Sequence, residues 1–152
     1  MGITKAEALK AVDRERGPVC EASDRIWDQP ETAFQEFHST DVLCELLEKE
    51  GFRVERNLAG IATAFSGTYG SGKPVVGILG EFDALSGLSQ ESESLEKTAL
   101  VDGAPGHGCG HNLLGTGSVA AAIAVKEYLE KNVKEGTVIF FGCPGEEGGS
   151  GK

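Results

Sequence analysis

The chain has 152 residues and a formal net charge of −10, from 24 acidic and 14 basic side chains. That length is enough for one domain with a real core, and 39% apolar with 25% charged residues is ordinary for a globular protein. The acid excess, without a basic stripe, excludes nucleic acid as a natural partner. No apolar run reaches the roughly 18 residues of a membrane helix. The opening Met-Gly-Ile-Thr-Lys-Ala-Glu has no signal-like apolar core, so a cytoplasmic protein is expected.

The first predicted element is a helical stretch over residues 4–28, with Ala8, Leu9, Val12, Ile26 and Trp27 as apolar points and an interruption at Gly17-Pro18. A loop follows from Pro30. Ser39 or Thr40 is expected to cap a second helix near 41–50, with Val42, Leu43, Leu46 and Leu47 on one face and Gly51 beyond its end. Short strands are predicted at about 52–56 and 61–67. The run Pro74-Val-Val-Gly-Ile-Leu-Gly80 reads as a strand buried on both faces. After a polar loop at 87–103, residues 113–130 form a largely apolar helix with Asn112 as its expected N-cap. Thr137–Gly142 is a further apolar strand. Strand 75–80, this helix and strand 137–142 make a βαβ unit with parallel strands.

The 22 glycines crowd into residues 60–120 and 142–151, which reads as tight functional loops. The four cysteines form no CxxC pair and no expected disulfide framework. Cys44 reads as a core residue and Cys143-Pro144 as structural. Only Cys109 has metal-ligand company, within Gly106-His-Gly-Cys-Gly-His111. His38 has no such context and reads as a surface or helix-start residue.

In open α/β sheets, ligands bind beyond the carboxyl ends of the strands. Glu81 and Asp83 follow the first strand of the βαβ unit, His107, Cys109 and His111 end its loop, and Glu146-Glu147 follow the second strand. All should land on one sheet edge. Cysteine, histidine and carboxylate together suit zinc or a similar divalent ion. Two adjacent carboxylates can divide hydrolytic work, one holding metal and one taking a proton from activated water.

With these residues the chain resembles the aminoacylase and glutamate-carboxypeptidase group, family twenty of the metallopeptidases. The likeness is to its amidohydrolase branch, which includes indole-acetyl-amino-acid and p-aminobenzoyl-glutamate hydrolases. The matching segments are Glu31-Thr-Ala-Phe-Gln-Glu-Phe37, Gly80-Glu-Phe-Asp-Ala-Leu85, Gly103-Ala-Pro-Gly-His-Gly-Cys-Gly-His-Asn-Leu-Leu-Gly115 and Gly142-Cys-Pro-Gly-Glu-Glu-Gly-Gly149. The resemblance implies Cys109, His111 and Glu147 as metal ligands, Glu146 as general base and Asp83 as an acid supporting the metal site. His107 lies in the motif outside that ligand set. Asn112 and Leu114 stand where relatives often carry Asp and His.

The fold implied is α/β, a partial zinc-peptidase-like αβα sandwich with a mixed, mainly parallel sheet. Residues 1–152 are then the N-terminal part of the catalytic domain, without its C-terminal strands, further histidine ligands and inserted dimerisation domain. The implied cofactor is zinc or manganese, as a two-metal site in the full-length enzyme. The implied substrate is a small amide or dipeptide, and a homo- or hetero-oligomer is expected for the full-length protein. A fragment or split gene product would have poor independent stability and little activity, because apolar sheet edges would be bare.

Two other readings compete. Gly145-Glu-Glu-Gly-Gly-Ser-Gly-Lys152 superficially resembles a phosphate-binding loop, but Glu146 stands where the first glycine belongs and two glutamates would repel phosphate. A non-catalytic metal-binding or assembly fragment is the other; it would have no use for a general base at Glu146.

Overall fold

Two helices, α1 (Lys5–Arg14) and α2 (Arg16–Asp28), form from the first helical stretch. The computed structural model describes residues 4–152; residues 1–3, and the side chain of Ala8 counted among the apolar points, lie outside the described residues. The break falls at Glu15 rather than at Gly17-Pro18, which sit in the first turn of α2. Proline is tolerated there because first-turn amides have no intrahelical partner to lose. Helix α3 (Phe37–Lys49) also starts earlier than expected, so Ser39 and Thr40 are buried within it and do not cap it. A distant carboxylate caps it instead. Glu31 accepts the His38 amide at 2.9 Å and the Ser39 amide at 2.8 Å. Cys44 lies in the core, where burial pushes its thiol pKa up to about 12.

Four strands follow: β1 (Arg53–Arg56), β2 (Phe65–Ser71), β3 (Val75–Glu81) and β4 (Gly136–Cys143). β2 begins later than the expected 61–67, because the chain turns first, with the Ala64 amide donating to the Ile61 carbonyl at 3.0 Å. The sheet order is β1-β2-β4-β3. β3 and β4 pair in parallel, joined by helix α4 (His111–Asn132), which is the expected βαβ unit. The sheet is mixed as anticipated, but its parallel pairing is confined to β3–β4 where a mainly parallel sheet was expected. β2 lies antiparallel to both β1 and β4.

The core lies between one face of this sheet and helices α2, α3 and α4. Phe65 packs in tilted contacts with Phe82 and Phe140, at ring-centroid distances of 5.8 and 5.7 Å, with Leu43, Leu47, Val119, Ile123 and Val138 buried around them. α4 comes so near β3 that a Cβ on Gly115 would lie 2.8 Å from the Glu81 carbonyl oxygen, so only glycine fits. The opposite face is bare, contrary to the expectation that strand 75–80 is buried on both sides. Val75 and Leu79 are 56% and 52% exposed, and Phe141 beside Leu79 is 37% exposed. β3 is an edge strand and no described helix covers that face. Among the described residues, no helix is long and apolar enough to cross a membrane.

Candidate metal centre

Three chain segments meet at the carboxyl ends of β3 and β4. Glu81 closes β3, with Asp83 two residues on; the loop into α4 presents Cys109 and His111; and β4 turns through Pro144-Gly145 into α5 (Glu146–Gly149). His111 opens α4 and is buried. Its Nδ1 lies 3.1 Å from both Oδ1 and the backbone oxygen of Asp83. Both are acceptors, so Nδ1 carries the hydrogen and Nε2 offers a free lone pair. Around Nε2 stand Glu81 at 3.3 Å, Glu147 at 3.8 Å and Glu146 at 3.9 Å.

These atoms form two triplets sharing His111: Cys109, His111 and Glu147, and Glu81, His111 and Glu146. Within each, the ligand atoms lie within 4.8 Å of one another. The donor set fits a divalent transition ion. Glu147 Oε1 is buried without a hydrogen-bond partner, which is costly unless something positive meets it. Three carboxylates around one lone pair also repel one another until a cation sits among them. The Glu147 carboxylate beside it, with burial and further acidic neighbours, pushes the exposed Cys109 thiol up, a bias that a cation would reverse. Lys152 supplies some positive charge, 2.5 Å from Glu81 Oε1 and 3.6 Å from Glu146 Oε1. That ammonium faces carboxylates rather than a phosphate cradle.

Asp83 ties two of the segments together. Its side chain is fully buried; one oxygen meets His111 and the other accepts the Glu147 amide at 2.9 Å. His107 joins neither triplet. Its Nε2 lies 3.2 Å from the Ile26 carbonyl, its ring stacks on Trp27, and burial lowers its pKa. Asn112 does not cap α4. Gly110, at φ 84, holds the cap position, and Asn112 lies inside the helix donating to Ser23 at 3.0 Å. Cys143 is buried and free, consistent with a structural reading.

Sequence reasoning placed Glu81 on this edge without a role, and carried Glu36 only as part of the matching segment Glu31–Phe37, again without a role. Glu36 is fully buried and accepts the Phe34 amide at 2.9 Å, the Thr63 hydroxyl at 2.9 Å and the Gly145 amide at 2.8 Å. It thereby fastens the turn that presents Glu146 and Glu147. Gly145 sits at φ 64 against the Phe34 ring, where a Cβ would be 2.8 Å from Cζ. Phe34 itself is held at φ 63, a strained conformation for a bulky residue. The signals for Glu36 were its place in that segment and its position between Phe34 and Phe37, an acid in apolar company.

Residues 77–152, which hold every member of both triplets, match the signature of peptidase family M20/M25/M40. The chain belongs to this family. It is 54% identical over 142 residues to a p-aminobenzoyl-glutamate hydrolase subunit of Escherichia coli (strain K12), covering 93% of this chain and 30% of that protein. This M20 chain therefore spans less than a third of that relative's length. Among solved structures it is similar to a dinuclear metal-binding peptidase of family M20 from Bacillus subtilis. That match has 26% identity and a TM-score of 0.64, over 88% of this chain and 37% of that one. The same fold recurs in a protein from methicillin resistant Staphylococcus aureus, at 23% identity and TM-score 0.72, over 93% of this chain and 35% of the other.

Proposed function

We propose that residues 1–152 are the N-terminal part of the catalytic domain of a metal-dependent amidohydrolase. Its substrate would be an N-acyl amino acid or dipeptide of the p-aminobenzoyl-glutamate kind. The observation that carries this is the cluster itself: Cys109, His111 and Glu147 around one point, with Glu146 alongside and Glu147 Oε1 buried without a partner. Cys109, His111 and Glu147 would hold zinc or manganese, and Glu81 with the shared His111 extends the donors toward a second ion in the complete enzyme. When bound, the ion supplies a Lewis acid and lowers the pKa of a nearby water. Glu146 takes a proton from the attacking water on its carboxylate and passes it to the leaving amine as the C–N bond breaks. Asp83 holds His111 in the tautomer that leaves Nε2 free. The E. coli relative is named as one subunit of its enzyme, which supports a homo- or hetero-oligomer. The four free cysteines support a reducing, cytoplasmic setting.

The test is cobalt(II) titration of the chain, reading the thiolate-to-cobalt absorption, followed by hydrolysis of p-aminobenzoyl-glutamate by the complete enzyme. Cys109→Ser should abolish the absorption, and Glu146→Gln should cut hydrolysis by about 100-fold or more while leaving the Cys109-dependent cobalt absorption in place. Cobalt binding indifferent to Cys109→Ser, or full hydrolysis by Glu146→Gln, would overturn the proposal.

A further inference from the structure

We infer that the cleft between the end of α2 and the loop at 89–106 is a binding site for a flat aromatic amine. The cleft has a volume of about 320 Å³, and Trp27, Pro30, Leu100, Val101, Pro105 and His107 line it. Its walls are chiefly apolar and ring-bearing, which suits a flat hydrophobic group. Leu100 and Val101 remain 67% and 63% exposed, so a ring seated there would remove apolar surface from water.

Asp28, Gln29, Ser89 and Gln90 also line the cleft, and the polar group there with an unpartnered buried atom is His107, 5% exposed and stacked on Trp27 with ring centroids 6.4 Å apart. Its Nε2 faces the Ile26 carbonyl at 3.2 Å, and a carbonyl can only accept, so Nε2 carries the hydrogen. Nδ1 is then an acceptor, and it is buried with no partner. A ligand with an N–H donor on its ring would supply what Nδ1 lacks; a plain hydrocarbon ring would not. His107 also lies in the loop that carries Cys109. Under the reading above, this cleft holds the aminobenzoyl half of the substrate. That placement rests on the proposed hydrolysis, but binding of the amine does not.

The experiment uses the ¹⁵N-labelled chain in EDTA, titrated with p-amino-N,N-dimethylbenzamide and with p-methyl-N,N-dimethylbenzamide, which has the same shape and no N–H donor. Trp27 is the single tryptophan, so its indole N–H signal reports on the cleft alone. The signal should shift saturably, with p-amino-N,N-dimethylbenzamide bound about fivefold more tightly, the worth of one hydrogen bond. His107→Gln keeps an N–H toward Ile26 but has no Nδ1, and should bind the two amides equally. No saturable shift at Trp27, or equal affinity of the unaltered chain for both amides, would overturn the inference. The ligand pair decides even if the variant fails to fold. Because no metal is present, failure here leaves the hydrolytic proposal standing, and loss of cobalt binding leaves this one standing.

Discussion

Asp83 and Glu36 do related work at the level of single side chains: each is a buried carboxylate spanning segments distant in sequence. Asp83 joins His111 to the Glu147 amide. Asp83→Asn keeps the shape but offers an amide where two acceptor oxygens are needed, so metal affinity should fall about 10- to 100-fold; competition with a chelating dye measures it. Glu36→Ala strands the amides of Phe34 and Gly145 and the Thr63 hydroxyl. It should cost about 2–4 kcal/mol in urea unfolding, from buried groups left unpaired. Burial raises the Glu36 pKa above its ordinary 4.5 despite those donors. The native state therefore binds this proton more tightly than the unfolded chain does. Glu36 favours folding most when protonated, and that contribution declines as pH rises from about 4.5 through its folded value. Unfolding measured across this range should show the decline in the unaltered chain and not in Glu36→Gln. The residues of both triplets could be read from the sequence because spacing and strand topology bring them to one edge. Glu36 could not, since nothing local tells a buried glutamate from a solvated one.

Helices and strands were legible where periodicity and turn residues agreed. Leu43, Leu46 and Leu47 mark α3, and the apolar runs mark β3 and β4. The errors came where a distant group replaced a local signal. Ser39 and Thr40 look like caps, yet Glu31 caps α3 from across a loop. Asn112 looks like a cap too, but Gly110 adopts the left-handed turn one residue before His111, and Asn112 is drawn inward to Ser23. The contact of α4 with β3 depends on Gly115, invisible as such in an ordinary Leu-Gly-Thr sequence. Gly115→Ala sets a methyl group against the Glu81 carbonyl and should push the helix away. The expected cost is about 1–3 kcal/mol, seen as a lower Tm, together with weaker cobalt binding because His111 moves with the helix. A Tm unchanged by this substitution would show that the close approach is not tight.

At the scale of the whole molecule the parallel pair β3–β4 is covered on one face only. Parallel strands are generally buried on both, and Val75, Leu79 and Phe141 form an apolar patch at a sheet edge. This chain should self-associate as concentration rises, and Leu79→Lys should return it toward monomer in sedimentation velocity without changing cobalt affinity. A monomer at all concentrations would show that the patch is inert. The sequence suggested a strand sealed on both sides because an apolar run records what a strand is made to touch, not which neighbours are present to touch it.

The four cysteines divide evenly, Cys20 and Cys109 open to solvent and Cys44 and Cys143 enclosed. Only thiolates react with alkylating agents, and burial suppresses ionisation of both enclosed thiols. Mass spectrometry after brief alkylation would therefore count two labels on native molecules and four on opened ones, timing the opening of the fold without any introduced probe. Of the two labels on native molecules, the one on Cys109 forms more slowly, because Glu147 and its acidic neighbours push that thiol up, and it should vanish when the ion is bound, while the one on Cys20 persists. A single spectrum would then separate molecules that are unfolded from those that are folded but metal-free.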